Sequence, residues 1–358
     1  MAIYIVVILI IFFSIPLRLD RDKKLKRCWL VAIFAILTTI SAIRSYHVGI
    51  DSIQYKDAFG KIAHLDYSQN NSLRYEIGFF YLVKTITLVS RDSQLLFIIS
   101  SLIIIPSVGV FIYRYSKNVA FSSLLYILFN IFFFHMTGMR QSLALVLLLF
   151  AYDNLIKNNY PRFIISTVIA SLFHSSAILF LVCLFIKRIK YNKYSHLITI
   201  LLSILFFVFF KPIFLNITHL IGKYGGYIDS EDFGVSNYYG AFFQFLLTFV
   251  VYTFCHFRYI NQESKNDSDR MSLILLGIDV MCQIMAMKMN IIGRMNQYFW
   301  IHSIILVPNI VKEEKRSKSR LLLYFGIILV SVAYWFIIAM FRPEWSGAIP
   351  YIPFWDKI

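Results

Sequence analysis

Three arginines stand at the ends of separate apolar runs. Arg44 follows the run 28–43, Arg140 lies at the head of the run 138–156, and Arg294 precedes the run 295–311. A guanidinium is a planar fork of donors that can pair with two oxygens of one phosphate or carboxylate, whereas an ammonium is a point charge. Three such forks at the edges of apolar segments suit one ligand, an amphiphile with a phosphorylated head. A single interfacial arginine also serves as a snorkelling anchor. Arg140 differs from an anchor in its setting, since Gly138 and Gln141 flank it and the small Ser142 and Ala144 follow.

Other polar groups invite less chemistry. Asp279 sits inside the apolar stretch ILLGIDVMCQIM with Gln283 one turn on. A carboxylate at membrane depth costs several kcal/mol unless it is paired or protonated, so Asp279 should face other helices, either as structure or as support for the arginines. Asp267-Ser-Asp269 has the form of a nucleotide-sugar motif, but it lies in a short polar loop and reads as solvated charge. There is no P-loop, no GxGxxG, no HExxH and no GxSxG, so a nucleotide-driven reaction has no visible home. No carboxylate pair with ligand spacing calls for a metal, and no cofactor is expected. The four cysteines, Cys28, Cys183, Cys255 and Cys282, lie in or beside apolar runs without paired spacing and read as space-filling residues.

The elements that must position these groups follow from composition. The chain has 358 residues, is 59% hydrophobic and only 15% charged, too little charge to cover a soluble surface. Apolar runs of roughly bilayer length recur throughout. The expected fold is all-α, a polytopic integral membrane protein of about twelve transmembrane helices in a single membrane domain over 1–358. The first run, 2–17, is expected to be retained as a helix. The net charge of +16 does not point to nucleic acid, because basic residues cluster in short loops as the positive-inside rule requires. RLDRDKKLKR (18–27), KRIKYNK (187–193) and KEEKRSKSR (312–320) are placed in the cytoplasm.

Parity then forces two choices. The segment 76–90 carries Lys84 and is short, so it becomes an amphipathic or re-entrant helix on the outer side. The run 163–186 has basic residues at both ends, so it splits into two short helices that turn near Phe173–Ser176. The helices are expected at about 2–17, 28–43, 95–113, 119–136, 138–156, 162–173, 176–187, 197–215, 241–258, 271–289, 295–311 and 321–341. Outer loops then fall at 44–94 and 221–240, and both termini lie outside. This map gathers Arg44, Asp51, Tyr55, Glu76, Arg140, Gln141, His174, Lys288 and Arg294 at or near the outer surface. His174 in a helix turn suits either a hydrogen-bonded structural residue or a member of a site beside Arg140.

Several motifs, in order, then carry a resemblance. The chain reads Arg44-Ser-Tyr-His-Val-Gly49-Ile-Asp51-Ser-Ile-Gln-Tyr55, then Glu76-Ile-Gly78-Phe79, then Arg140-Gln-Ser-Leu-Ala144, then Ala170-Ser-Leu-Phe173-His174-Ser-Ser-Ala177, and ends with Ile349-Pro-Tyr351. It resembles the EpsG-like branch of the Wzy polysaccharide polymerases, which includes O-antigen polymerases. The likeness is closest over about 1–190 and looser to the end. Ile50 stands where the family has Thr, and Ile77 where it has Pro.

The resemblance implies a GT-C-like glycosyltransferase of the bacterial inner membrane, with its active site facing the periplasm or cell exterior. Such an enzyme moves a growing glycan from undecaprenyl pyrophosphate onto a lipid-linked repeat unit, of O-antigen, lipopolysaccharide, capsule or exopolysaccharide. Its partners would be undecaprenyl-pyrophosphate-linked oligosaccharide, membrane lipid and a chain-length regulator protein. Arg140 and Arg294 would stabilise the departing pyrophosphate with Arg44 in support. His174 or Asp51 would be the base. Glu76 and Tyr55 would hold sugar hydroxyls, and the Gln141 amide would position Arg140. Rival readings are an O-antigen ligase-type transferase, a lipid-linked sugar flippase or transporter, and a membrane acyltransferase. Transport is disfavoured because the polar groups crowd one side and no internal repeat occurs.

Overall fold

The computed structural model describes residues 1–17, 19–72, 75–212, 216, 238–263 and 265–356. In chain order the helices begin with α1 (Ala2–Ser14), α2 (Lys23–Ala42), α3 (Ser52–His64) and α4 (Ile77–Thr87). They continue with α5 (Gln94–Tyr115), α6 (Val119–Leu128), α7 (Ile131–Thr137), α8 (Met139–Ile156) and α9 (Tyr160–Ser171). A 3-10 helix, Ser175–Val182, leads into α10 (Cys183–Ile186), followed by α11 (Ser195–Val208) and α12 (Tyr238–Ile260). The last are α13 (Asp267–Ala286), α14 (Asn290–Met295), α15 (Gln297–Trp300), α16 (Ser303–Lys312) and α17 (Ser317–Phe341). Among the described residues no β-strand forms, and an isolated antiparallel bridge joins Arg44 to Pro353.

Local chemistry accounts for many of the boundaries. The Asp22 carboxylate accepts from the Lys24 amide at 2.7 Å and starts α2. Asn118, Asn159 and Asn266 cap α6, α9 and α13 in the same way, each satisfying an amide that the first turn leaves unpaired. Asn130 adopts the left-handed conformation (φ 60°), and the chain bends by 55° between α6 and α7. The run 119–136 is thus two helices where one was expected. The run 295–311 is likewise broken, into α14, α15 and α16. By contrast, 163–186 does fold as two short pieces, α9 and the 3-10 helix with α10, with the turn after Ser171.

Among the described residues five helices are long and apolar enough to cross a membrane: Lys23–Ala42, Gln94–Tyr115, Met139–Ile156, Gly240–Ile260 and Ser317–Phe341. The bent pair α6–α7 would make a sixth. Other apolar helices, such as Ser195–Val208, fall short of that length. Helix α4 has 11 residues, about half of what a bilayer core requires, and buries Phe79, Phe80 and Val83 against the protein. The expected outer loop 44–75 contains a helix of its own, α3. The expected loop 221–240 lies almost wholly outside the described residues.

The chain divides into two compact units, Met1–Leu184 with Glu314–Ile358, and Phe185–Glu313. In the first, α2 packs on α5, α5 on α8, α8 on α9, and α1 and α17 on α6. In the second, α13 is central, with α11, α12 and α14–α16 around it.

Candidate functional site

The site forms in the first unit where α4, α8 and the turn after α9 meet. Glycine makes the approach possible. The Gly78 amide donates to the Leu172 carbonyl at 2.7 Å, and a Cβ on Gly78 would lie 2.7 Å from that same oxygen. The head of α4 therefore docks directly on the end of α9. That contact carries Glu76 to the turn that bears His174 and Ser175.

Glu76 is the hub. Its Oε2 accepts from Arg140 Nη1 at 2.5 Å. Its Oε1 accepts from the Ser175 amide at 3.3 Å and lies 3.8 Å from His174 Nδ1. One carboxylate thus bridges an arginine of α8 and a histidine 34 residues later, each with a side chain 25% exposed. The Arg140 guanidinium also lies over the Tyr75 ring, 5.0 Å from its centroid, a cation–π arrangement. The Tyr55 hydroxyl accepts from the Arg140 amide at 3.4 Å. Burial raises the Tyr55 phenol above its usual range, opposed by the charge of Arg140, so it stays neutral at physiological pH. His174 also has Ser176 Oγ at 3.4 Å from Nδ1.

The start of α8 is held by a second set of contacts. Arg44 is 1% exposed, and its Nη2 donates to the Met136 carbonyl at 3.0 Å. Nη1 donates to the Ser41 carbonyl and to Ser101 Oγ, and Phe97 covers the guanidinium. Gly49 has φ +100°, and a Cβ there would lie 2.7 Å from the same Met136 carbonyl. Arg44 and Gly49 therefore pack on the last turn of α7, and Arg44 satisfies a carbonyl that the end of the helix would leave bare. Gly138 follows, where a Cβ would meet the Phe134 ring at 2.7 Å, and α8 begins with Arg140 turned towards Glu76.

The C-terminal segment fastens this corner. The Ser45 amide donates to the Ile352 carbonyl at 2.8 Å, and the Phe354 amide to the Ile43 carbonyl at 2.9 Å. The Gly49 amide donates to Gly347 at 2.8 Å, and Thr137 Oγ1 to the Ser346 carbonyl at 2.6 Å. The Tyr4 hydroxyl reaches the Ala348 carbonyl at 3.0 Å, and the Tyr351 hydroxyl the Ile40 carbonyl at 2.9 Å.

The structure thus brings together Arg140, Glu76, His174 and Tyr55. Asp51 sits at the head of α3, one turn before Tyr55. Gln141 is buried within α8. The Arg44 guanidinium faces protein carbonyls, which is the geometry of a buttress. Arg294 is exposed in α14 of the second unit. Sequence reasoning missed Tyr75 and the Ser175 amide. Each adjoins a residue that was singled out, and adjacency was the available signal.

Two pairing rules describe what the arrangement can do. The guanidinium is held by a carboxylate in the geometry that an anionic oxygen of a ligand would use. The imidazole has a carboxylate beside it, the setting of an oriented acid–base group. Among the described residues no three His, Cys, Asp or Glu side chains converge as a metal-ligand set. No match was found among curated proteins or among solved structures. The profile of the EpsG family matches residues 27–352, nearly the whole chain and both units. With the ordered motifs seated around Glu76, this chain belongs to the EpsG family, whose members are Wzy-type polymerase-like.

Proposed function

We propose that the chain is a polysaccharide polymerase that transfers a growing glycan from undecaprenyl pyrophosphate to a lipid-linked repeat unit at the outer leaflet of the bacterial inner membrane. The observation that carries this reading is the bridge from Arg140 through Glu76 to His174 at the head of an apolar helix. An acceptor hydroxyl would attack the anomeric carbon, and the bond from that carbon to the pyrophosphate oxygen would break. The electron pair leaves on the pyrophosphate, and the hydroxyl proton goes to a base.

Arg140 suits the leaving pyrophosphate. Glu76 holds the guanidinium in place before the substrate arrives, and a phosphate oxygen would exchange for that carboxylate. Preorganised charge at a water-poor edge is worth more than the same charge in bulk water. His174 is the base that this geometry favours, because the Glu76 carboxylate beside it would stabilise the imidazolium formed on proton uptake. Asp51 is the alternative base. Arg294 is the candidate second cation, and a chain-length regulator the candidate protein partner. The twelve-span topology with both termini outside, and a GT-C-like architecture, belong to the same reading.

Deletion in the parent bacterium, with a gel of its surface polysaccharide, tests the reaction. A polymerase mutant keeps a single capped repeat. Loss of every capped repeat would indicate a ligase, and lipid-linked units trapped inside would indicate a transporter. His174→Ala should lose most polymer at normal protein level, and a full ladder from it would return the role of base to Asp51. The orientation is tested by labelling intact cells with an impermeant thiol reagent, after Cys28 is replaced by serine. A cysteine at exposed Ser68 should react, and one at exposed Ser317 should not.

A further inference from the structure

The second unit contains a buried carboxylate that the proposed reaction does not use. On α13, Asp269, Ser272, Leu276, Asp279, Gln283 and Ala286 recur at steps of three and four and so share one face. Three contacts show what that face meets. Asp269 Oδ1 accepts from Asn309 Nδ2 at 2.7 Å, and Ser272 Oγ lies 3.3 Å from His302 Nδ1. A Cβ built on Gly293 would lie 3.4 Å from the Ala286 Cβ. Partner numbers fall as those of α13 rise, so α16, α15 and α14 run back along this stripe. Asp279 and Gln283 lie between the second and third contacts. Opposite them the chain is broken between α14 and α15, at Asn296.

This stretch is rich in buried oxygens. Asp279 is 0% exposed, and among the described residues no nitrogen donor lies within hydrogen-bond distance of its carboxylate oxygens. Thr248 of α12, also fully buried, faces it. Asn296 Oδ1 and Gln297 Oε1 are buried without partners, and Gln283 Nε2 is the unpaired donor one turn on. An isolated buried carboxylate costs several kcal/mol, and removing its charge needs a proton or a cation. A proton would satisfy one carboxylate oxygen and leave the amide oxygens of Asn296 and Gln297 bare. A hard cation would satisfy them together, since carboxylate, hydroxyl and amide oxygens are its ligands. One carboxylate balances a single charge. A break in an apolar helix is also where membrane proteins coordinate ions.

We propose that Asp279, Thr248 and the amide oxygens of Asn296 and Gln297 bind one Na⁺ ion within the second unit. The ion would join α12 and α13 to the broken segment and fix the course of α14 and α15. This inference stands apart from the proposed reaction.

The test is thermal melting of the full-length protein in detergent micelles, in NaCl and in choline chloride at equal ionic strength. Sodium should raise the midpoint by about 5 °C at concentrations far above its Kd. Asp279→Asn keeps the shape, removes the charge that needs balancing, and should fold with its midpoint the same in both salts. Thr248→Val should keep the sodium effect but move its half-maximal concentration up about tenfold, which holds the proposal open to test if the Asn variant folds poorly. Binding of ²²Na⁺ to the wild-type protein should saturate at about one ion per chain. A wild-type midpoint indifferent to sodium would overturn the proposal and leave Asp279 as a protonated core residue. So would a sodium effect that survives in Asp279→Asn, and equal stabilisation by KCl would overturn the choice of ion.

Discussion

Glu76 and Asp279 are two carboxylates in two units, and they meet opposite treatment. Glu76 is partly open and is matched by a guanidinium, a backbone amide and an imidazole. Asp279 is fully buried and faces the Thr248 hydroxyl. In the proposed reaction the first would exchange partners with an incoming anion. In the proposed ion site the second, among excess acceptors, would take a cation. On these two proposals, exposure and partner type would separate the two sites more than the presence of an acid in an apolar chain does.

The largest expected effect lies in the Glu76 cluster. Arg140→Lys and Arg140→Ala should be expressed and inserted, yet form polymer about two to three orders of magnitude more slowly, the loss of one charge-assisted contact in the transition state. A snorkelling anchor would accept lysine. Near-wild-type ladders from Arg140→Lys would make the guanidinium an anchor and break the contrast with Asp279.

Gly78→Ala comes next. Its Cβ must push the Leu172 carbonyl from 2.7 Å, which separates Glu76 from the His174 turn. A cost of about 1–3 kcal/mol in overpacking and a polymer yield lower by roughly tenfold are expected, measured by melting and by gel. Unchanged polymer would show that Glu76 does not depend on this docking contact.

Arg44→Met separates buttress from ligand. It leaves the buried Met136 carbonyl with only the long Ser52 Oγ contact at 3.5 Å, so stability should fall by about 1–3 kcal/mol. Activity per folded molecule should fall less than in the Arg140 variants. Normal stability with abolished activity would instead place Arg44 among the substrate contacts. The smallest effect is expected at Arg114, 46% exposed, which pairs with Asp153 at 2.9 Å. Arg114→Ala should cost less than about 1 kcal/mol, because Lys157 and Tyr115 still hold the buried Asp153 carboxylate, and leave polymer unchanged.

How much of this was legible beforehand differs by element. Helix content, most helix positions and the split of 163–186 follow from apolar runs and charge placement, which act locally and leave a period in the sequence. The break at Asn130 did not show, because apolar residues flank it on both sides and the turn is fixed by one residue's backbone, and the fragmentation of 290–312 was not drawn from the polar Arg294, Asn296 and Gln297 that mark it. In the site, Arg140, Glu76 and His174 stood out as polar groups at the edges of apolar runs. Arg44 stood out for the same reason, yet its side chain turns inward to a carbonyl. A carbonyl in need of a donor belongs to every residue alike and leaves no mark in composition.

The amino-acid sequence by itself determined an apolar all-helical chain with basic short loops, and the order of motifs that marks its family. Those properties rest on side-chain transfer energies and on spacing along the chain. Tertiary structure alone decided that Glu76 would join Arg140 to His174, that Arg44 would hold the end of α7, and that Asp279 would face the Thr248 hydroxyl. The reason is physical. Each of these contacts joins residues far apart in the chain or a side chain to a backbone oxygen, and in the first unit helix packing through Gly78, Gly49 and Gly138 sets those distances.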